Sequence, residues 1–244
     1  MLREEDLIIP DWPAPPGVRA LSTIRAGGVS AGPYASLNLG DHVADDPAAV
    51  AENRASLRRF LPAEPVWLKQ VHRADVADAD RAGGVPEADA AVGRRQGTVC
   101  AVLTADCLPV LLCDRAGTVV AAAHAGWRGL AGGVLEAAVA AMGAAPETVL
   151  AWLGPAIGPA AFEVGGEVRE AFLVHDPAAE GAFVARPEGK WLADIFLLAR
   201  LRLAKIGVTA IYGGGVCTYA DAARFYSYRR DGATGRMASL IWRE

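Results

Sequence analysis

Apolar runs of strand length alternate along this chain with stretches of helical spacing, without the regular beat of a uniform parallel βαβ succession. Val66–Val71, Thr98–Thr104, Leu108–Cys113, Thr118–Ala123, Thr148–Leu153 and Val208–Tyr212 predict strands, several too apolar to leave one face in water. Such strands need cover on both sides. Asp46 as N-cap and Pro47 at the first helical position open a helix whose apolar face is Val50, Leu57 and Phe60 and which Pro62 ends. Gly129–Met142, stopped by Gly143, and Trp191–Ile206, ending in Gly207, predict two longer helices, and Gly166–Val174 a shorter one. The pattern is that of an α/β (α+β) fold: a single-domain layered sandwich with mixed β-sheets covered by helices, over residues 21–244, behind an N-terminal extension of residues 1–20.

Composition narrows what such a domain does. The 244 residues are 52% hydrophobic and 21% charged, enough to bury a large core without disulfides or metal, so a metal site here is functional and not a structural staple. Lys and Arg number 24 against 28 Asp and Glu, and the net charge of -4 offers no field for a phosphate backbone, which argues against nucleic acid as partner. Glu4, Glu5 and Asp6 stand where an export signal is basic, and Gly129–Pro146 carries Glu136 and several glycines, so no membrane partner is expected. Cys100, Cys107, Cys113 and Cys217 form no CxxC pair, which reads most simply as a reducing cytoplasm with thiolate chemistry available.

Three segments put metal-capable side chains beside turn residues at strand ends: Lys69–His72, Thr104–Pro109 and Ala123–Gly129. His72, Cys107 and His124 are nitrogen and sulfur donors, and three of them with one open position describe a catalytic zinc site, which copper also suits. Each has a plainer reading, as a hydrogen-bonded histidine or a small buried thiol, because long-range spacing does not bind ligands together as a zinc-finger pattern does. A second reading makes Cys107 a nucleophile and His124 its base, with Asp106 as an orienting or proton-handling group. The glycine-rich segments match neither GxGxxG nor the Walker pattern, so phosphate, if handled, falls to Arg25, Arg128 and one of Arg229 and Arg230, which would face opposite ways on a strand. Phe225, Tyr226 and Tyr228 could stack a planar base, although packing is their commoner use.

Lys69–His72, Ala105–Pro109, His124–Gly129, Gly154–Gly158 and Phe225–Asp231 occur together and in order. That combination resembles the bacterial laccase-domain family, also labelled polyphenol oxidoreductase, purine nucleoside phosphorylase or peptidoglycan editing factor, and it spans the chain from Thr23 to Trp242. The resemblance implies a single α/β sandwich and a zinc site on His72, Cys107 and His124. It implies phosphorolysis of adenosine, inosine, guanosine and methylthioadenosine, with deamination of adenosine, so the partners are a small nucleoside and phosphate. Arg25, Asn38 and the Ser227–Arg229 segment match family positions near the cleft. Four histidines are too few for the copper cluster of a multicopper laccase, which disfavours the polyphenol reading. The deaminase signature pairing H-x-E with P-C-x-x-C is also missing. A cell-wall precursor editor that hydrolyses an amide, and a metal-binding protein without turnover, remain the alternatives.

Overall fold

The structure is a computed structural model that describes residues 2–244. In chain order the first strands are β1 Leu7–Ile8, β2 Val18–Thr23, β3 Val76–Asp78, β4 Ala90–Gly93, β5 Cys100–Thr104, β6 Leu108–Asp114 and β7 Val120–Ala125. They are followed by β8 Val149–Leu153, β9 Glu163–Val164, β10 Phe183–Ala185, β11 Trp191–Ala193, β12 Ala210–Gly213 and β13 Met237–Arg243. The helices are α1 Pro47–Arg58, α2 Trp127–Gly132, α3 Val134–Met142, α4 Gly166–Leu173, α5 Ile195–Lys205 and α6 Tyr228–Asp231. One sheet runs β1-β2-β13-β5 and a larger, mixed one runs β12-β8-β6-β7-β4-β3, with a small sheet β10-β11-β9 beside them.

The apolar strands are buried on both faces because the period of two sends alternate residues to different cores. In β6, Leu108, Val110 and Leu112 pack with α3 and α5 residues such as Leu135, Ala138 and Leu198. Leu111 and Cys113 point the other way, to Val102 and Ile241 of the smaller sheet. On the far side of that sheet, Leu21, Ala101 and Leu240 meet Leu57 of α1 and Trp67. The order is therefore helix, sheet, sheet, helix, the layered sandwich expected. The segment read as an extension is stitched in: Leu7 and Ile8 pair with Thr23 and Ser22, and residue 20 lies inside β2.

Four local expectations change. Val66–Val71 makes only isolated bridges from Val66 and Lys69 and is not a strand, because Asp89 and Gln70 engage its backbone and its neighbour's instead of a ladder. Gly129–Met142 is broken into α2 and α3 at Gly133, whose φ of 95° belongs to the left-handed region. Trp191–Ala193 is strand, and the following helix starts only after Asp194, whose carboxylate accepts from the amides of Phe196 and Leu197. Arg229 and Arg230 lie on the short helix α6, not on a strand. Helix α1 forms as expected, with Asp46 accepting from the Ala48 amide and Val50 and Leu57 buried.

Candidate metal centre and active site

Cys107 sits where the chain passes from one sheet to the other. After β5 ends, Ala105–Cys107 turn the chain into β6, and Asp106 takes a φ of 89° to make that turn, a conformation non-glycine residues rarely adopt. The Asp106 carboxylate accepts from Thr218 Oγ1 at 2.6 Å, Ser227 Oγ at 3.0 Å and the Arg229 amide at 2.7 Å. The strained turn is thereby tied to the segment that carries α6. Ser227 is also the N-cap of α6, accepting from the Arg230 amide.

His124 comes from the end of β7, one strand over from β6. Its Nδ1 lies 2.8 Å from Asp89 Oδ1. Asp89 is fully buried at the entry to β4 and also accepts the amides of Val71, His72 and Arg73 at 3.1, 2.9 and 2.8 Å. Burial would raise its pKa, but the bond from His124 and those from the Arg73 and Val71 amides outweigh it and hold the carboxyl below its usual range. An ionised carboxylate only accepts, so His124 Nδ1 carries a proton and Nε2 is the nitrogen left to the Cys107 side, where a metal ion would take the place of its proton. The same carboxylate shapes the loop that delivers His72, whose φ is 60°.

These three segments converge. The donor atoms of His72, Cys107 and His124 all lie within 4.8 Å of one another, with Cys107 Sγ 3.9 Å from His72 Nε2 and the two imidazoles edge to face. A zinc ion with ordinary bond lengths and tetrahedral angles sets sulfur and nitrogen about 3.5 Å apart. Burial would push the Cys107 thiol up, yet the facing charge and hydrogen bonds of His124, with His72, bring it down to about 6. His124 moves oppositely, to about 9, because Cys107 and Asp89 overcome burial. Cys100 and Cys113 show the contrast: burial pushes both thiols up, Cys113 to about 12. Gly126 follows His124, and a Cβ there would stand 2.9 Å from Cys107 Sγ and 2.9 Å from His72 Cδ2. The donors are packed against bare backbone, which explains why a glycine stands in that motif. Two nitrogens and a thiolate, oriented by a buried carboxylate, fit a borderline-soft divalent ion such as zinc or copper.

A cavity of about 240 Å³ opens on one side of Cys107, lined by Trp127, Phe162, Ile157, Tyr228, Arg128 and Arg229 among others. Of the expected aromatic platform only Tyr228 is exposed; Phe225 and Tyr226 are fully buried packing residues. Arg128 lies over Trp127, and Arg229 lies over Phe162 while its Nη1 donates to the Glu163 carbonyl. Arg230 is consumed by the Thr218, Tyr219 and Phe225 carbonyls and by Asp231. Arg25 and Asn38 do not line this cavity. Arg25 stacks on Tyr226 and donates to the Ala35 and Ala222 carbonyls, and Asn38, fully buried, holds Gly40, Asp45 and the Arg236 amide. Sequence reasoning missed Asp89, whose one visible signal is an acid set among the alanines that open β4, and Arg236, which nothing in the sequence singles out.

Residues 19–244 match the sequence profile of the family described as multi-copper polyphenol oxidoreductase laccase. The chain belongs to that family. A purine nucleoside phosphorylase of Pseudomonas aeruginosa is 59% identical over 237 residues, covering 96% of this chain and 97% of that one. A second protein of that name, from Escherichia coli K12, is 59% identical over 242 residues, covering 97% and 98%. Among solved structures, a Neisseria meningitidis protein aligns with a TM-score of 0.95 at 54% identity, over 98% of this chain and 99% of its own. The family's description names a multi-copper polyphenol oxidoreductase, whereas the donors brought together among the described residues are those of a single three-ligand centre. Among the described residues no helix is long and apolar enough to cross a membrane.

Proposed function

We propose that this chain is a zinc-dependent purine nucleoside phosphorylase, converting adenosine, inosine, guanosine or methylthioadenosine and phosphate into the free base and the pentose 1-phosphate. The observation that carries the reading is the His72, Cys107 and His124 donor set beside an aromatic-lined cavity of nucleoside size, which His72 and Cys107 line, in a chain 59% identical to proteins named for this activity. His72, Cys107 and His124 would hold the ion, which would supply a fixed positive charge and Lewis acidity at the reacting end of the cavity. Trp127, Phe162 and Tyr228 offer flat apolar surfaces to a purine, and Arg128 and Arg229 sit beside it with donors for its polar edge. Asp89 positions His124 and the His72 loop, and Asp106 positions Cys107 and α6; with both oxygens of Asp106 engaged, we assign it a positioning role in place of proton transfer.

Hydrolytic deamination of adenosine is the companion activity that the same donor set supports, because such an ion also activates water. A reducing cytoplasm suits a centre that depends on an unpaired thiol, and all four cysteines are free. A snug chamber favours a nucleoside over a sugar-peptide, which would need a longer groove. The test is product analysis of adenosine incubated with zinc-loaded protein, with and without phosphate, beside Cys107→Ala. Phosphate-dependent adenine and ribose 1-phosphate from the wild type alone is the expected result, and inosine formed without phosphate reports deamination. Absence of both products sinks the nucleoside reading.

A further inference from the structure

His72, Ala105, Cys107 and Tyr228 form a wall with a chamber on either side. The first is the aromatic chamber of Trp127 and Phe162. The second, of about 360 Å³, is lined by Arg236, His42, Gln70 and Thr104, and no carboxylate among the described residues lines it. Gln70 is occupied, its amide paired with both the amide and the carbonyl of Leu103. His42 stands at the mouth, exposed, with its Nδ1 3.5 Å from Asp41.

Arg236 is the unusual group. Its Nη1 donates to the Thr234 and Gly235 carbonyls, but Nε and Nη2 make no hydrogen bond and no ion pair among the described residues. Its stem is seated against Gly40, where a Cβ would stand 2.7 Å from Arg236 Cγ. A guanidinium cannot shed its charge, and one drawn partly out of water without a carboxylate forfeits hydration that nothing in the chain returns. Burial accordingly pushes its pKa down, against the opposing fields of Cys107, Asp106, Tyr228 and Tyr34. Arg230, by contrast, has spent all three nitrogens on backbone carbonyls and the Asp231 carboxylate, and Arg25 has spent Nε and Nη1 on the Ala35 and Ala222 carbonyls. Two free donors in fork geometry, facing a chamber that no carboxylate among the described residues lines, match a tetrahedral oxyanion.

We propose that Arg236, with His42 at the entrance, forms the phosphate subsite, so that the nucleoside enters from the aromatic chamber and phosphate meets its ribose from the other side of the Cys107–Tyr228 wall. The proposal rests on the phosphorylase reading and adds where the second substrate sits. Displacement at C1′ demands this arrangement, because the entering oxygen and the departing nitrogen lie on opposite sides of the carbon. A phosphate oxygen forms the bond to C1′ as the C1′–N9 bond breaks, the electron pair leaves on the purine, and the proton carried by hydrogen phosphate ends on the base.

The experiment compares wild type, Arg236→Met and Arg236→Lys, all zinc-loaded and checked for metal content and folding. It varies inorganic phosphate at saturating adenosine, and in parallel follows the melting temperature against inorganic phosphate without nucleoside. Arg236→Met is expected to raise KM for phosphate by about tenfold or more, with KM for adenosine within about twofold and zinc content unchanged, while Arg236→Lys lies between. The phosphate-dependent rise in melting temperature should be lost in Arg236→Met. A folded, metal-replete Arg236→Met with unchanged phosphate dependence in both measurements overturns the subsite, as does a phosphate KM that moves with Arg229→Ala instead. If wild type shows no phosphate-dependent turnover, the phosphorylase reading fails and the melting series still decides: a stabilisation by phosphate that needs Arg236 upholds an oxyanion subsite, and none removes it.

Discussion

Two polar clusters lie side by side in this molecule, joined at Arg236, whose amide bonds Asn38 and whose guanidinium faces the Cys107 side. In the first, Asn53 donates to Ser30, Ser36 and Asn38 and accepts from the Val29 amide, while Asn38 bonds Gly40, Asp45 and Arg236. Every group there is answered from within the chain. In the second, His72, Cys107 and His124 turn donor atoms toward one another, and two nitrogens of Arg236 have no partner among the described residues. The first cluster closes on itself; the second gathers donor atoms that could hold a metal ion. Buried polar groups alone therefore say little about chemistry, and the count of unanswered ones says more.

The comparison can be broken most sharply at Cys107. Cys107→Ala should drop metal content from one ion per chain toward zero and phosphorolysis to background, while circular dichroism and the melting curve of the metal-free protein stay close to wild type. On the other side, Asn53→Ala should cost about 2–4 kcal/mol of stability by stranding several buried partners, with zinc uptake unchanged in the folded protein. Loss of zinc from a folded Asn53→Ala variant would show that the two clusters are not independent. Asp89→Asn belongs between them, since the amide keeps shape but loses the charge that orders His124 and the His72 loop. It should weaken metal affinity about 10–100-fold in competition with a chelator.

The smallest effect is an acid one, far from both clusters. Asp114 accepts from the Thr118 amide, Thr118 Oγ1 and the Val119 amide; burial would push its carboxyl up, but these bonds prevail and hold it below the usual range. Because the folded value lies below the unfolded one, its stabilisation is complete above the unfolded pKa of about 3.9 and is lost as pH falls through the lowered value. Melting temperatures of wild type and Asp114→Asn should differ at neutral pH and converge toward pH about 2.

Four strands of the larger sheet, β6, β7, β8 and β12, were legible because runs such as Leu108–Cys113 are apolar at every position, a signature of burial on both faces, whereas β3 and β4 are only three and four residues long and left no such run. The centre of the smaller sheet was not, because β2 and β13 are mixed in character and paired across more than two hundred residues of sequence. Trp191–Ile206 reads as one helical stripe, and only the hydrogen bonds of Asp194 show where strand gives way to helix. The metal ligands could be named because they sit in compact motifs with turn residues. Asp89 and Arg236 could not, since their importance lies in which atoms they bond or leave unbonded, and spacing does not carry that information. Arg25 and Asn38 show the opposite failure, motif positions whose donors are consumed by the scaffold.

Strand β13 lies inside its sheet, between β2 and β5, although it follows β2 by more than two hundred residues. The smaller sheet therefore exposes two unpaired strand edges until β13 docks, and it can close only when those distant segments meet. Arg236 stands immediately before β13, and Ser227 and α6 shortly upstream, so the docking that seals the sheet also brings Arg236 and Tyr228 against the Cys107 turn. A chain cut between α6 and Arg236 would keep the donor triad but lose that wall, and closing the sheet and walling the second chamber are thus one event.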